Sequence, residues 1–141
     1  MKYKEFRDDY GFLYKEWVNA DGKYHREDGP ACTKYYGNNS IWYEEFYING
    51  VSHREDGPSD IIYYSNGILR SESFNIAGLY HREDGPADIS YDENGSIIYE
   101  AYYLTEKFFG TGKKGFWNFW EAISEKQRQN LTLLKHLLRH M

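Results

Sequence analysis

The chain has 141 residues, a formal net charge of −5 and a single cysteine, Cys32. That length suits one domain with its own core, an internal disulfide is excluded, and the cysteine usage fits a reducing compartment. No apolar run approaches the roughly 20 residues that span a bilayer, and Met1–Phe6 lacks a signal peptide's apolar stretch, so the expected location is cytoplasmic.

From the N-terminus the chain is rich in aromatic residues, with 15 Tyr, 8 Phe and 4 Trp in all. Aromatics favour strands and recognition surfaces. The string His-Arg-Glu-Asp-Gly-Pro then occurs three times at a spacing of 28: His25 to Pro30, His53 to Pro58 and His81 to Pro86. Alignment at that spacing extends further, through Tyr35/Tyr63/Tyr91, Asn38/Asn66/Asn94, Glu44/Glu72/Glu100 and Phe46/Phe74/Tyr102. Going back 28 residues places Glu16 with Glu44 and Gly22 with Gly50, so a half unit precedes the first full one. Such periodicity is read through its unit.

Each unit reads as two strands. Ala87–Asp92 alternates with period two, as a half-buried strand does. Asn66-Gly67 and Asn94-Gly95 supply hairpin turns, Asn38-Asn39 a variant, and a second strand runs on, for example from Ile68 to Ile76. Asp-Gly within the hexapeptide turns the chain, and the Pro suits a strand start. The expected fold is mainly β with C-terminal α. It is a single-layer antiparallel meander of about seven strands built from 28-residue hairpin repeats, capped by one or two C-terminal helices.

The turns contribute His25, Arg26, Glu27 and Asp28; His53, Arg54, Glu55 and Asp56; and His81, Arg82, Glu83 and Asp84. By parity Glu16, Glu44, Glu72 and Glu100 share the face of the Phe/Ile ladder, where a charge is costly unless paired. The repeated arginines are the natural partners, which predicts an Arg–Glu ion-pair ladder. The histidines are expected to hold the turns by bonding a backbone carbonyl or the Asp.

A boundary falls near Lys107. Residues 1–106 hold 10 Lys+Arg against 20 Asp+Glu, whereas 107–141 hold 7 against 2. The first segment is read as the β array and the second as a basic, aromatic helical cap. Gly112–Gly115 reads as a flexible link, Phe116–Trp120 as a short helix, and Ser124 with Gln127 as a capping box. Leu131, Leu134 and Leu138 then repeat at helical spacing. Partner-binding candidates here are Phe116, Trp117, Trp120, Lys126 and Arg128, because aromatics and Arg dominate hot spots.

His, Glu and Asp are the residue types of acid–base and metal sites. Three equal copies in a row, however, do not converge on one pocket. His136 and His140 stand four apart but lack the Glu of a metalloprotease helix, and Gly110–Gly115 lacks the spacing of a phosphate loop. Cys32 has no base beside it. No catalytic residue, metal or cofactor is expected, and a hydrolase using the His/Glu/Asp groups stands as the rival reading.

The pattern Gly-x-x-His-Arg-Glu-Asp-Gly-Pro-Ala between strands, over residues 11–106, resembles a repeat of phage and large-virus proteins. It is similar in style to MORN-type repeats, including the YwqK-like antitoxin group. The resemblance implies a single-layer sheet, a phage source and an interaction role without catalysis. On it, the chain is expected to bind and modulate or inhibit a host protein or protein complex in the host cytoplasm, as an anti-defence or anti-CRISPR inhibitor. An acidic nucleic-acid mimic aimed at a nuclease is the alternative. Direct nucleic-acid binding is disfavoured by the net charge, no membrane partner is expected, and self-association through an open end strand stays open.

Overall fold

The computed structural model describes residues 1–141. Nine strands form the main sheet, all neighbours antiparallel: β1 (Lys2–Arg7), β2 (Leu13–Val18), β3 (Cys32–Tyr35), β4 (Ile41–Glu45), β7 (Asp60–Tyr63), β8 (Leu69–Ser73), β11 (Asp88–Tyr91), β12 (Ile97–Leu104) and β13 (Lys107–Thr111). Two small hairpins form separate sheets, β5 (Tyr47–Ile48) with β6 (Val51–Ser52) and β9 (Asn75–Ile76) with β10 (Leu79–Tyr80). Three helices close the chain: α1 (Gly112–Ala122), α2 (Glu125–Arg128) and α3 (Leu131–His140). No helix is long and apolar enough to cross a membrane.

This corrects the expected architecture. The fold is mixed, with thirteen short strands in three sheets and three helices, and not one seven-strand meander of two-strand units. The physical reason lies at Phe46 and Phe74, where the expected long second strand breaks. Each Phe sends its N–H to the next strand (Ser59 O, 2.7 Å; Ala87 O, 2.7 Å) and accepts from the motif histidine's N–H (3.2 and 3.1 Å). The chain then leaves the main sheet and returns on itself through Asn49-Gly50 (φ 48° and 80°) or Ala77-Gly78 (φ 50° and 80°), the left-handed pair of a two-residue hairpin turn. The third copy departs again: β12 runs unbroken for eight residues, and Thr105-Glu106 turns it into β13 of the main sheet.

The predicted turns at Asn38-Asn39, Asn66-Gly67 and Asn94-Gly95 join β3 to β4, β7 to β8 and β11 to β12. Each is a five-residue loop closed by a backbone bond, such as Tyr64 N–H to Ile68 O (2.8 Å), with Asn39, Gly67 or Gly95 at positive φ. Gly112–Gly115 is not a link but the first turn of α1, and the sheet continues to Thr111. The capping box is present at α2, and Asn130 caps α3 by accepting from the Thr132 and Leu133 amides.

Register assigns the faces, since directly paired residues share one. One face carries Lys15, Thr33, Glu44, Ile61, Glu72, Ile89 and Glu100 in a row across the strands. The other carries Glu16, Cys32, Glu45, Asp60, Ser73, Asp88 and Ala101. Glu16 therefore lies on the opposite face from Glu44, with which the 28-residue spacing aligns it. The loop from Trp17 to His25 is one residue longer than that from Phe46 to His53, and a one-residue slip reverses a strand's faces.

Apolar burial is uneven. The one hydrophobic cluster consists of Tyr102, Phe116, Phe119, Ile123 and Leu133, where α1 and α3 pack over the end of the sheet. Every residue of β1, at the opposite edge, is exposed.

Candidate binding face along the motif turns

Each hexapeptide forms the same bend, with the same bonds. Arg26, Arg54 and Arg82 donate through Nε to Asp28, Asp56 and Asp84 Oδ1 (2.9, 3.1 and 2.8 Å) and through Nη1 to the carbonyls of Pro30, Pro58 and Pro86 (3.3, 3.1 and 3.1 Å). Each guanidinium also lies over an aromatic ring: Arg26 over Trp17 at 4.8 Å, Arg54 over Phe46 and Arg82 over Phe74, both at 4.0 Å. The stack uses the ring's negative face, and Phe46 and Phe74 are the residues at which the strand breaks.

The histidines tie each turn to the following hairpin. His25, His53 and His81 accept at Nδ1 from the amides of Asn49, Ala77 and Thr105, each at 2.9 Å. Those three residues have φ of 48°, 50° and 47°. A side chain costs energy there, so the histidine acceptor holds a strained turn in place. With Nδ1 accepting, the ring proton sits on Nε2, which faces Glu27, Glu55 and Glu83 at 3.8, 3.6 and 3.7 Å. The expected bonds to a carbonyl or to the Asp are not made.

The Arg–Glu ladder does not form either, because the arginines are consumed inside their own turns. Glu72 accepts from Tyr91 Oη–H (2.7 Å), and Glu16 pairs with Lys4 (3.3 Å) and Tyr24 Oη–H (2.8 Å) on the other face. Only Glu100 pairs with guanidinium on this face, and the cation comes from α3: Arg139 at 2.6 Å, with His140 Nε2 at 2.5 Å on the other carboxylate oxygen. Phe116 stacks on the His140 ring at 4.8 Å, and Tyr102 Oη lies 3.4 Å from both Glu100 and His140. Sequence reasoning missed this cluster, since nothing in helical spacing says which strand α3 meets. Acid, base and hydroxyl converge here, but each carboxylate oxygen of Glu100 is taken up in anchoring the helix.

Two grooves run between successive turns. One, of about 770 Å³, lies between the second and third turns, with Glu72, Phe74 and Ile76 in its lining and Asn130 and Thr132 at its wall. The other, of about 620 Å³, lies between the first and second, lined by Phe46 and Ile48. Their rims are solvent-exposed carboxylates: Glu27, Asp28, Glu55 and Asp56 are all more than 80 % exposed, although Asp28 and Asp56 also hold their own arginines.

The opposite face carries a second acidic row. Glu45 and Asp60 stand directly opposite each other, which repels. Hydroxyl and amide donors relieve it: Tyr47 to Glu45 (2.7 Å), and Ser52 (3.0 Å) and Asn75 (3.2 Å) to Asp60. Burial raises the carboxyl pKa of Glu45 and of Asp88. Burial, with Glu45 and Glu16 nearby, pushes the Cys32 thiol up to about 12, so it carries no thiolate near neutral pH.

Among the C-terminal candidates, Phe116 is fully buried in the core, and Trp117 and Trp120 are half-buried against it. Arg128 donates to the Trp120 carbonyl (3.0 Å) and lies over its ring, while Lys126 is exposed. The segment thus spends most of its aromatics on covering the sheet.

No protein-family model matches the chain, and a search of curated proteins finds no match. The MORN-type, phage and anti-CRISPR descriptions implied by the hexapeptide are accordingly withdrawn. A uniform stack of equal units is also absent, since three unequal sheets, a lengthened first loop and an unbroken β12 make the topology irregular.

Proposed function

We infer that the chain is a protein-binding module whose contact surface is the grooved face along the motif turns. The observation that supports this reading is the pair of adjoining grooves, about 620 and 770 Å³, each with a half-buried Phe and Ile set among exposed charged groups. The turns that build them are held rigidly, by the Arg bonds within and the His bonds to the next hairpin, so a partner meets a preorganised surface and little ordering cost opposes binding. A few apolar side chains within a polar surround are what an interface uses.

The test is affinity capture from the source cells with the native chain and with the double variant Glu55→Lys/Glu83→Lys. Both residues are exposed, so the variant keeps its fold. A partner held by the native chain, held by Lys126→Glu and lost by the double variant supports the reading. A partner held equally by all three places the contact elsewhere.

A further inference from the structure

The three motif copies differ in one chemical respect. Each turn leads into a strand whose hairpin partner carries a glutamate on the turn face: Glu44 on β4, Glu72 on β8 and Glu100 on β12. Taking a carboxylate out of water is costly unless a cation or several donors meet it. In the third copy the cost is met, because α3 brings Arg139 and His140 onto the two oxygens of Glu100. In the first two copies it is not. Glu44 and Glu72 are half-buried, no Lys, Arg or His lies within salt-bridge distance of either, and the one hydrogen bond to Glu72 is the Tyr91 hydroxyl.

Helix α3 also shows what contact does to a turn. Asp84 keeps 40 % of its exposure, against 86 and 88 % for Asp28 and Asp56; Arg82 keeps 13 %, against 27 and 26 %. Gly85 and Pro86 are buried while their equivalents are only half-buried. His136 Nε2 fills the space over Gly85, 2.9 Å from where a Cβ would stand. The Arg–Asp, Arg–Pro and His–amide bonds of this turn match those of the other two within 0.3 Å. The surface therefore accepts a basic segment without rearranging.

We propose that Glu72 and Glu44 are recognition points for cations of a partner, taking a guanidinium or ammonium as Glu100 takes Arg139. This rests on the turn face being the binding surface. The groove at Glu72 favours a cation by charge: five carboxylates line it (Glu55, Asp56, Glu72, Glu83, Asp84) against two guanidiniums, both already engaged with their own Asp. One strand, β7, lies between those of Glu44 and Glu72, and neighbouring strands lie about 4.8 Å apart, so the points stand about 9.6 Å apart. Three residues of polyproline-II chain, which presents the same face every third residue, cover about 9.3 Å at roughly 3.1 Å each. A whole helix, about 10 Å wide with its side chains, does not enter between turns at that spacing. The occupant is thus a basic segment in the polyproline-II conformation with Arg or Lys at every third residue.

The probe is the capped peptide Arg-Ala-Ala-Arg-Ala-Ala-Arg, titrated into the full chain and followed by amide chemical shifts. An isomer with its three arginines adjacent has the same charge and serves as the control. Saturable binding is expected, with shifts at Glu72, Phe74 and the second and third turns. Affinity should fall about tenfold in Glu72→Gln, a change that keeps the Tyr91 bond, and measurably in Glu55→Gln, a fully surface change. Absence of saturable binding, equal affinity for the isomer, or indifference to Glu72→Gln overturns the proposal. A protein partner lost by Glu55→Lys/Glu83→Lys would then still uphold the turn face as the contact surface, with other chemistry at its centre.

Discussion

The two ends of the main sheet meet the same requirement in different ways. At the C-terminal end, α1 covers β13 and α1 with α3 bury Tyr102, Phe116, Phe119 and Leu133 completely. At the N-terminal end, β1 is exposed along its whole length and carries Lys2, Lys4 and Arg7, the charges that discourage edge pairing. There aromatics and lysines lie on one another instead: Lys34 stands over the rings of Phe12, Tyr14 and Trp42, the last at 4.2 Å. One end provides apolar burial, and the rest of the sheet is thereby free to display half-buried charge. The same division separates the covered third turn from the open first and second.

The largest effect should come from the core. Phe119→Ala is expected to cost about 3–5 kcal/mol, the usual range for a fully buried aromatic, read from chemical denaturation. Phe46→Ala, half-buried beneath Arg54, should cost about 1–2 kcal/mol, most of it lost packing and stacking. Equal losses would erase the contrast between the ends.

Next comes the helix anchor. Glu100→Ala strands His140 and Arg139 at a buried site, and removing one partner of such a pair costs up to about 3–5 kcal/mol. Arg139 is 35 % exposed, which lowers the expectation to about 2–3 kcal/mol. Glu72→Ala, which loses one hydroxyl bond, should cost about 1 kcal/mol or less.

A smaller effect tests the close approach of α1 to β13. A Cβ on Gly115 would fall 2.3 Å from the Gly110 carbonyl, a backbone contact that can yield only by moving the helix. Gly115→Ala should cost about 1–3 kcal/mol, as overpacking does. At Gly29 the added Cβ would meet the flexible end of Arg26 at 2.8 Å, so Gly29→Ala should be milder in the same denaturation assay.

The smallest is acid loosening of α3. Burial, with Arg82 and Arg139 beside it, lowers the His136 pKa from 6.5 to about 4, although Glu100 and Asp84 act the other way. Burial lowers His140 as well. A histidine held neutral in the folded chain is protonated more readily when unfolded, so stability falls with pH between about 6.5 and about 4. Glu45 and Asp88 carry the opposite sign, because their raised pKa values favour the fold as pH falls toward the carboxylate range. Between pH 7 and pH 5 the amides of α3 should therefore lose exchange protection before those of β7 and β8.

Much of this was legible in the residues. The Asn-Gly turns, the capping box and the helical leucines speak through local chemistry, which needs no partner element. The two-residue turns after the motif-facing strands were half legible: Asn49-Gly50 is itself a turn dipeptide, but Ala77-Gly78 and Thr105-Glu106 adopt similar positive φ without its signature. Their conformation is held by a histidine 24 residues away, so no local reading finds it. The face of Glu16 was lost to a single extra loop residue. The pairing of Glu100 was hidden because its cation sits on a helix 39 residues further on. In each case the deciding contact is tertiary, and periodicity records only what neighbours along the chain require.

The C-terminal end holds the fold, and the open turns are surface. Three amides report on it directly, those of Asn49, Ala77 and Thr105, which make the same 2.9 Å bond to a motif histidine at nearly the same φ. Native-state hydrogen exchange, corrected for intrinsic rates, should find Thr105 the slowest of the three and Asn49 the fastest. Equal protection, or the reverse order, would contradict the claim.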